Sequence, residues 1–401
     1  MNPDPTLPTL PLALEGAGTP AERAPNLSRA RRATRKLFAT LGVMAGAWGA
    51  HVPSIKHTYG LDEGTLAAVL FCAAVGAVCS LFIAGRLIGV LGAKRASLLT
   101  GLVLTAALGC ALLWPSAPWL MVANLVFGAS MSVFDVSINA EGTALEQHSE
   151  RPLMGNLHGC FSLGAMAGAA LVAALLRAGI TPALQLVGVA LASAAVMFAS
   201  NPGMLDARPG PAAEGDAPSH FVWPRGLLLV IGLLIFAGMT AEGVMYDWCV
   251  LYLKQEVGMP QDQAALGYSA FAGAMAVARF GGDSLRARFS EASLLRNSAL
   301  LAAAAMSVVL LSASPGVALI GYTLVGAGLA PIVPILFSAA SRVPGTTSAA
   351  AIAAASSIGY SGFLVGPPLI GAIAHNASLT LAMGVVVLAT AALALGARKV
   401  G

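Results

Sequence analysis

Charged side chains are scarce in this sequence. Only 10% of its 401 residues are Asp, Glu, Lys or Arg, whereas 57% are hydrophobic. A soluble domain carries about 25% charged residues, so this chain has too few polar groups to cover a water-exposed surface. The composition argues against a soluble enzyme and indicates an all-α membrane protein with many apolar helices.

The sequence also lacks the patterns of common catalytic and metal sites. Its five cysteines lie in apolar stretches, without Cys-x-x-Cys or a nearby His spacing, so we expect no structural disulfide and no metal. There is no P-loop, no Gly-x-Ser-x-Gly and no His-Glu-x-x-His. We therefore expect neither an enzyme nor a cofactor, and the modest net charge of +4 gives no reason to expect a nucleic-acid partner.

Twelve apolar stretches are long enough to cross a bilayer as helices, which takes about 20 residues each. The connection 201–224 is rich in proline and predicts a cytoplasmic linker between two six-span bundles, 34–200 and 225–397. Residues 1–33 predict a disordered cytoplasmic tail. The predicted spans are 34–53, 64–84, 96–114, 118–140, 155–177, 180–200, 225–253, 264–282, 294–312, 316–340, 347–374 and 378–397.

The basic residues predict the orientation of these spans. If both termini are cytoplasmic, only Lys56, Arg177 and Lys254 of the 22 Lys and Arg lie on the opposite side. Such a bias follows the positive-inside rule. We therefore expect a multi-pass protein of a bacterial inner membrane with both termini in the cytoplasm.

The two halves repeat each other weakly in sequence. Lys56-x-x-x-Gly60 follows the first span, and Lys254-x-x-x-Gly258 follows the seventh. Duplicated parallel halves with a site between them near the midplane are typical of one large class of transporters.

The connection after the second span carries Gly85, Gly92, Lys94 and Arg95 in the register of a known loop motif. With the duplicated halves, these residues make the chain resemble the major facilitator superfamily over about residues 34–397. The resemblance implies twelve helices in two pseudo-symmetric bundles, and gating at this loop. The usual acidic residue is absent, since Gly89 stands in its place. Other residues expected to take part in gating are Arg279, Asp283, Arg286 and Arg288.

Four further stretches resemble a narrower branch of bacterial inner-membrane carriers related to the fucose permease. The resemblance implies uptake of a small polar, sugar-like solute. It does not extend to fucose itself, because the first span, 34–53, contains no Asp or Glu. The stretches are 134–142, 158–164, 241–248 and 362–368.

The seventh span contains two carboxylates, which are costly inside a membrane and are therefore expected at functional positions. Glu242 and Tyr246 are four residues apart and share a helix face, whereas Asp247 points roughly 140° away from Glu242. We predict that Glu242 carries protons and that Asp247 serves an outer gate. A satisfied structural contact is the alternative for Asp247.

The fourth span carries a polar stripe formed by Asn124, Asp135 and Asn139, which return to nearly the same face of a helix. We predict that Asp135 carries protons together with Glu242 and that the two asparagines bind substrate. A polar contact between helices, with His158 as the partner of Asp135, is the alternative.

Aromatic and imidazole side chains complete the predicted substrate site. Aromatic rings can stack on a sugar, and His can donate a hydrogen bond. The alternative for each is an interfacial anchor or a packed side chain. The substrate-binding candidates beside the asparagines are Trp48, His51, Tyr246, His158, Trp248 and Tyr360.

The leading functional hypothesis is a secondary active transporter that takes up a small polar solute with protons by alternating access. This hypothesis rests on the acids in the apolar spans, which have no basic residue beside them. A carboxyl group buried away from water can bind and release protons. One alternative is a proton antiporter that exports amphipathic or cationic compounds, and a second is a sensor that moves nothing. The expected partners are the solute, protons and membrane lipids, and we expect a monomer.

Overall fold

The computed structural model describes residues 26–149, 153–205, 223–286 and 288–400, apart from the side chains of Asp283, Ser284 and Ala349. In these residues the chain forms helices joined by short connections. The first half contains α1 (Leu27–Thr58), α2 (Glu63–Leu91), α3 (Ala93–Gly109), α4 (Ala117–Ser149), α5 (Met154–Arg177) and α6 (Pro182–Ser200). The second contains α7 (Gly226–Gln255), α8 (Gln261–Arg286), α9 (Glu291–Leu311), α10 (Pro315–Leu329), α11 (Ile332–Ala340), α12 (Ser348–Asn376) and α13 (Leu379–Gly396).

The helices confirm the twelve predicted spans, with α10 and α11 together forming the tenth. Within the described ranges, nine helical segments are long and apolar enough to cross a membrane, counting α10 and α11 as one. The tenth span breaks at Pro331, because proline cannot donate to the helical hydrogen-bond ladder. Helix α12, in contrast, continues through Pro367 and Pro368.

The predicted N-terminal tail needs a correction. Helix α1 begins at Leu27, where Asn26 caps it by accepting from the Arg29 N–H, so residues 27–33 are helical and do not belong to a tail. The predicted linker 201–224 begins with a short 3-10 turn over Asn201–Gly203. Residues 1–25 and 206–222 lie outside the described part of the chain.

Glycines allow equivalent helices to pack closely in the two halves. A Cβ on Gly42 of α1 would lie 2.0 Å from the Phe161 carbonyl oxygen of α5. In the second half, a Cβ on Gly362 of α12 would lie 2.6 Å from the Phe236 carbonyl oxygen of α7. The first and fifth spans of each half therefore approach each other closely. Gly60 and Gly258 also adopt the same left-handed backbone after the first helix of each half, with φ of 61° and 75°.

We call the side where α1 begins and α13 ends the terminal face, and the opposite side the far face. At the far face the halves meet through polar contacts. Gln261 of α8 donates to the Ala50 carbonyl at 3.1 Å and to Ser54 Oγ at 2.7 Å, both on α1. Asp62 lies 3.9 Å from His375 at the end of α12. The backbone N–H of Thr65 donates to the Asp62 carboxylate, and the Thr65 hydroxyl makes a smaller contribution. Together they hold the pKa of Asp62 below its usual range.

Candidate functional site

An ion pair between Glu242 of α7 and Arg279 of α8 forms the centre of the candidate site. Arg279 Nη2 lies 3.0 Å from Glu242 Oε1, and the two side chains are only 14% and 12% exposed. Arg279 Nη1 also donates to Ser162 Oγ of α5 at 2.6 Å. One guanidinium therefore connects the two halves of the molecule within the membrane-spanning part of the bundle.

Tyr246 extends this group by one helical turn, as the sequence predicts. Its hydroxyl donates to Glu242 Oε1 at 3.1 Å. The ring lies 5.7 Å from the ring of Tyr268 and 5.5 Å from that of Phe271, both on α8. The Glu242 carboxylate thus accepts from both a guanidinium and a phenol beside an aromatic wall.

The sequence predicts that no basic residue lies beside the acids in the spans. This prediction is wrong for Glu242, because Arg279 pairs with it. Arg279 was expected in a gating connection at the terminal face, but it lies within α8, which continues to Arg286. Its long side chain places the guanidinium well away from its own backbone. The prediction also missed Ser162, although it stands one turn after the candidate His158 on α5 and thus on the same helix face.

Asp135 and Asn139 form a second polar group, on α4. Asn139 Nδ2 donates to Asp135 Oδ1 at 3.0 Å and to the Asp135 carbonyl at 2.9 Å. Tyr360 of α12, which is 39% exposed, lies close enough to Asp135 to interact with it electrostatically. The structure therefore brings Asp135 and Asn139 from the first half near Tyr360 from the second.

Asp247 differs from the other two acids. Within the described residues its carboxylate makes no hydrogen bond or ion pair, although it influences Tyr268 electrostatically. It is half-buried on α7, five residues after Glu242. No structural partner explains this charge, so its expected part in an outer gate stays a prediction.

Four predicted substrate-binding residues are packed between helices in this structure, and their part in substrate binding stays a prediction. Asn124 is 2% exposed and donates from Nδ2 to the Val69 carbonyl of α2 at 3.1 Å. Trp48 stacks on Phe127 of α4, with ring centroids 4.7 Å apart. The other two are fully buried. His51 lies 3.1 Å from Ser54 Oγ and beside Gln185 of α6, and Trp248 is enclosed on α7.

These contacts divide the predicted polar stripe on α4 into two parts. Asn124 joins α2 to α4, whereas Asp135 and Asn139 form their own group further along the helix. His158, the alternative partner of Asp135, packs edge-on against Phe38 of α1, with centroids 5.5 Å apart. It also lies within electrostatic reach of Arg279.

The residues of the loop motif after the second span lie in or beside the connection between α2 and α3 at the terminal face. Gly85 lies inside α2, so the connection itself is shorter than predicted. Gly92 turns the chain between α2 and α3 with a φ of 78°. Lys94 donates to the Pro202 carbonyl at 3.4 Å, while Arg95 is exposed on the same helix.

A charged cluster in the second half supplies an acid at the terminal face. Glu291, which no motif in the sequence indicates, pairs with Arg286 at 2.9 Å and with Arg342 of the connection after α11. The predicted acid was Asp283, whose side chain lies outside the described part of the structure. Arg288 is exposed after α8.

Comparison with known proteins agrees with this architecture. The sequence matches the family model described as Major Facilitator Superfamily over residues 37–367. An uncharacterised MFS-type transporter of Yersinia pestis is 35% identical over 367 residues, which cover 92% of this chain and 94% of that protein.

Solved structures show the same fold at low sequence identity. The nucleoside transporter NupG aligns with a TM-score of 0.72 and 14% identity, covering 94% of this chain and 99% of that one. The E. coli fucose:proton symporter FucP aligns with a TM-score of 0.62 and 19% identity, covering 92% and 98%. At these identities the likeness concerns the fold alone.

Proposed function

We propose that this chain, which belongs to the Major Facilitator Superfamily, is a secondary active transporter that takes up a small polar solute together with protons. It is a multi-pass membrane protein with an all-helical fold. In this proposal the transporter works by alternating access, with protons as the coupling ion, in an inner membrane with both termini in the cytoplasm. FucP, which shares the fold, is itself a fucose:proton symporter.

The environment of Asp135 is the observation that carries the proposal. Its carboxylate accepts from the neutral amide of Asn139, and no cation pairs with it among the described residues. A charge without a partner in the membrane is costly, and taking up a proton removes that cost. We therefore assign the proton-carrying role first to Asp135, which also lies near Tyr360 of the other half.

Glu242 plays a different part in this proposal, because Arg279 neutralises its charge. A solute with hydroxyl groups can replace the bonds that Arg279 makes to Ser162 and Glu242. A proton on Glu242 weakens the ion pair and frees the guanidinium for the solute. The Glu242–Arg279 pair thus binds the solute in a manner that depends on protons.

The packing of the two halves is consistent with one state of an alternating-access cycle. The far face is held together by Gln261 against α1 and by the close approach of Gly371 in α12 to Ala67 of α2. Asp135, Asn139 and Tyr360 are half-buried or exposed on the terminal side of these contacts. With cytoplasmic termini, this arrangement is an inward-facing state.

The test begins with a thermal-shift screen of the purified protein against sugars, polyols, amines and organic acids. The stabilising compound then serves as substrate in proteoliposomes, where uptake should make the external medium more alkaline. Asp135→Asn should abolish uphill accumulation but keep exchange of labelled for unlabelled solute. If Asp135→Asn and Glu242→Gln both accumulate solute normally, neither acid couples protons and the proposal fails.

Proton-coupled export of a cationic compound is a second candidate. Among the described residues, only Glu242 of the three acids Asp135, Glu242 and Asp247 pairs with a cation, Arg279. An excess of acid in the spans favours a cationic solute. Loss of the chain from its cell distinguishes the two functions. Hypersensitivity to cationic compounds indicates export, whereas loss of growth on one carbon source indicates uptake.

A further inference from the structure

Two arginines line a polar pocket at the terminal face, away from the candidate transport site. Arg296 on α9 and Arg398 in the 3-10 turn after α13 border a pocket of about 280 Å³. Asn297 and Ser293 contribute amide and hydroxyl groups to the same wall. The lining contains no acidic residue, so the pocket carries the charge of two guanidinium groups.

Neither arginine has a partner among the described residues. Glu291, in the first turn of α9, is already paired with Arg286 and Arg342. Neither Arg296 nor Arg398 makes an ion pair or a hydrogen bond within the described part of the chain. The pocket therefore presents unneutralised positive charge and free N–H donors.

An apolar surface continues from the pocket toward the membrane. Leu300 stands one turn after Arg296 on the same face of α9 and is 47% exposed. Leu395 stands three residues before Arg398 on α13 and is 82% exposed. Exposed leucines on membrane-spanning helices face lipid chains, so the polar pocket and the lipid-facing surface adjoin each other.

We propose that this pocket binds the phosphodiester headgroup of an anionic glycerophospholipid, with the acyl chains lying along Leu300 and Leu395. The planar fork of arginine matches phosphate oxygens with two parallel bonds. Asn297 and Ser293 can bond to the hydroxyl groups of a glycerol headgroup. A zwitterionic choline headgroup would instead bring a cation toward two arginines, so the pocket selects against it.

Non-specific attraction between arginine and the membrane surface is the competing explanation. Basic side chains near helix ends often extend to the interface, and each attracts anionic lipid without a defined site. That attraction depends on charge alone. Binding at a specific site also depends on the two parallel N–H donors of the guanidinium group. A change from Arg to Lys keeps the charge but removes this geometry, so it separates the two explanations.

The experiment measures lipid binding to the full chain by native mass spectrometry with dioleoyl phosphatidylglycerol and dioleoyl phosphatidylcholine. Arg296→Gln and Arg398→Gln should each weaken binding of phosphatidylglycerol about ten-fold, the effect of losing a charged hydrogen bond. Arg296→Lys and Arg398→Lys should weaken it about five-fold, because the second bond of the fork is lost. Lys399→Gln is the matched control, since it removes one charge beside Arg398 but outside the pocket.

Three results would overturn the proposal. If the Lys variants bind phosphatidylglycerol like the unmodified protein while Lys399→Gln weakens it as much as Arg398→Gln, charge alone explains the binding. If inorganic phosphate competes with phosphatidylglycerol at similar concentrations, the pocket is a free-anion site and the lipid assignment is wrong. Equal binding of phosphatidylcholine would likewise exclude selection of an anionic headgroup.

Discussion

Arg279 and Ser162 connect the two halves of the molecule through a hydrogen bond of 2.6 Å between helices α8 and α5. The same guanidinium pairs with Glu242 on α7 at 3.0 Å. A movement that separates α5 from α8 must therefore change the environment of the Glu242 carboxylate. If the halves move apart at this contact, the ion pair of a charge inside the membrane is therefore altered.

The first prediction concerns the ion pair itself. Arg279→Gln should destabilise the protein by about 3 kcal/mol or more, because it leaves the carboxylate of Glu242 without its cation in a poorly solvated place. The double variant Arg279→Gln with Glu242→Gln should regain most of that stability. Thermal unfolding of the purified variants measures both effects. Equal destabilisation by the single and double variants would show that the ion pair is not the cause.

The sequence predicts the helices far better than the contacts of the site. Long apolar runs locate the spans, since crossing a membrane takes about 20 apolar residues. The helices themselves continue further, because α2 ends at Leu91 and α4 ends at Ser149, beyond the predicted ends at 84 and 140. Glu242 and Tyr246 share a face and a hydrogen bond as predicted, because both lie on one helix. The sequence predicts Arg279 in a gating connection because the sequence pattern indicates only where its backbone lies. The site is formed by its guanidinium group, which lies several bonds away from that backbone.

Packing contacts of the predicted substrate-binding residues have a second cause that the sequence does not reveal. Asn124 donates to a backbone carbonyl of α2, and a backbone carbonyl has no signature in the sequence. His51 and Trp48 are enclosed by helices from other parts of the chain. Polarity in an apolar span therefore indicates that a partner exists, but whether that partner is solute, proton or backbone depends on tertiary packing.

The second prediction separates proton coupling from solute binding. Asp135→Asn keeps the shape and the hydrogen-bonding ability of the side chain but cannot carry a proton. Uphill accumulation in proteoliposomes should fall to background, while exchange of solute should continue at a comparable rate. Asp262→Asn, in the first turn of α8 at the far face, serves as a control and should leave accumulation unchanged. Loss of exchange together with accumulation would instead place Asp135 in solute binding.

The third prediction tests the structural role of Asn124. Asn124→Ala removes a hydrogen bond between α2 and α4, which in membranes is worth about 0.6 kcal/mol and up to about 1.7 kcal/mol. The thermal stability should fall by that small amount, and the KM for solute should not change. A large change in KM with unchanged stability would return Asn124 to the substrate site.

The fourth prediction concerns the contact between α1 and α5. Gly42→Ala would place a methyl group 2.0 Å from the Phe161 carbonyl oxygen, so the helices must separate. Overpacking of this kind costs about 1–3 kcal/mol. Gly188→Ala on α6 is the matched control, because no heavy atom lies within 4 Å of its Cβ position. Similar melting temperatures for the two variants would contradict the close approach of α1 and α5.

The last prediction concerns the polar contact that closes the far face. Gln261 of α8 donates to Ser54 Oγ and to the Ala50 carbonyl of α1, and it accepts from Lys254 at 3.1 Å. Gln261→Leu removes both bonds between the halves at nearly constant size, and each bond is worth about 1 kcal/mol. The equilibrium between far-face closed and open states should therefore shift toward the open state by about ten-fold or more.

Spin labels at positions 62 and 375 measure this shift, because Asp62 and His375 lie on opposite halves at the far face. Opening should increase the population with a longer distance between the two labels. Gln263→Leu is the matched control, since Gln263 is an exposed residue of the same helix whose side chain makes no described contact across the halves. If Gln261→Leu leaves the distance distribution unchanged, the far face is held by the packing of Gly371 on Ala67 and not by the glutamine. A shift in both variants would mean that leucine at this face, rather than the lost bonds, opens the protein.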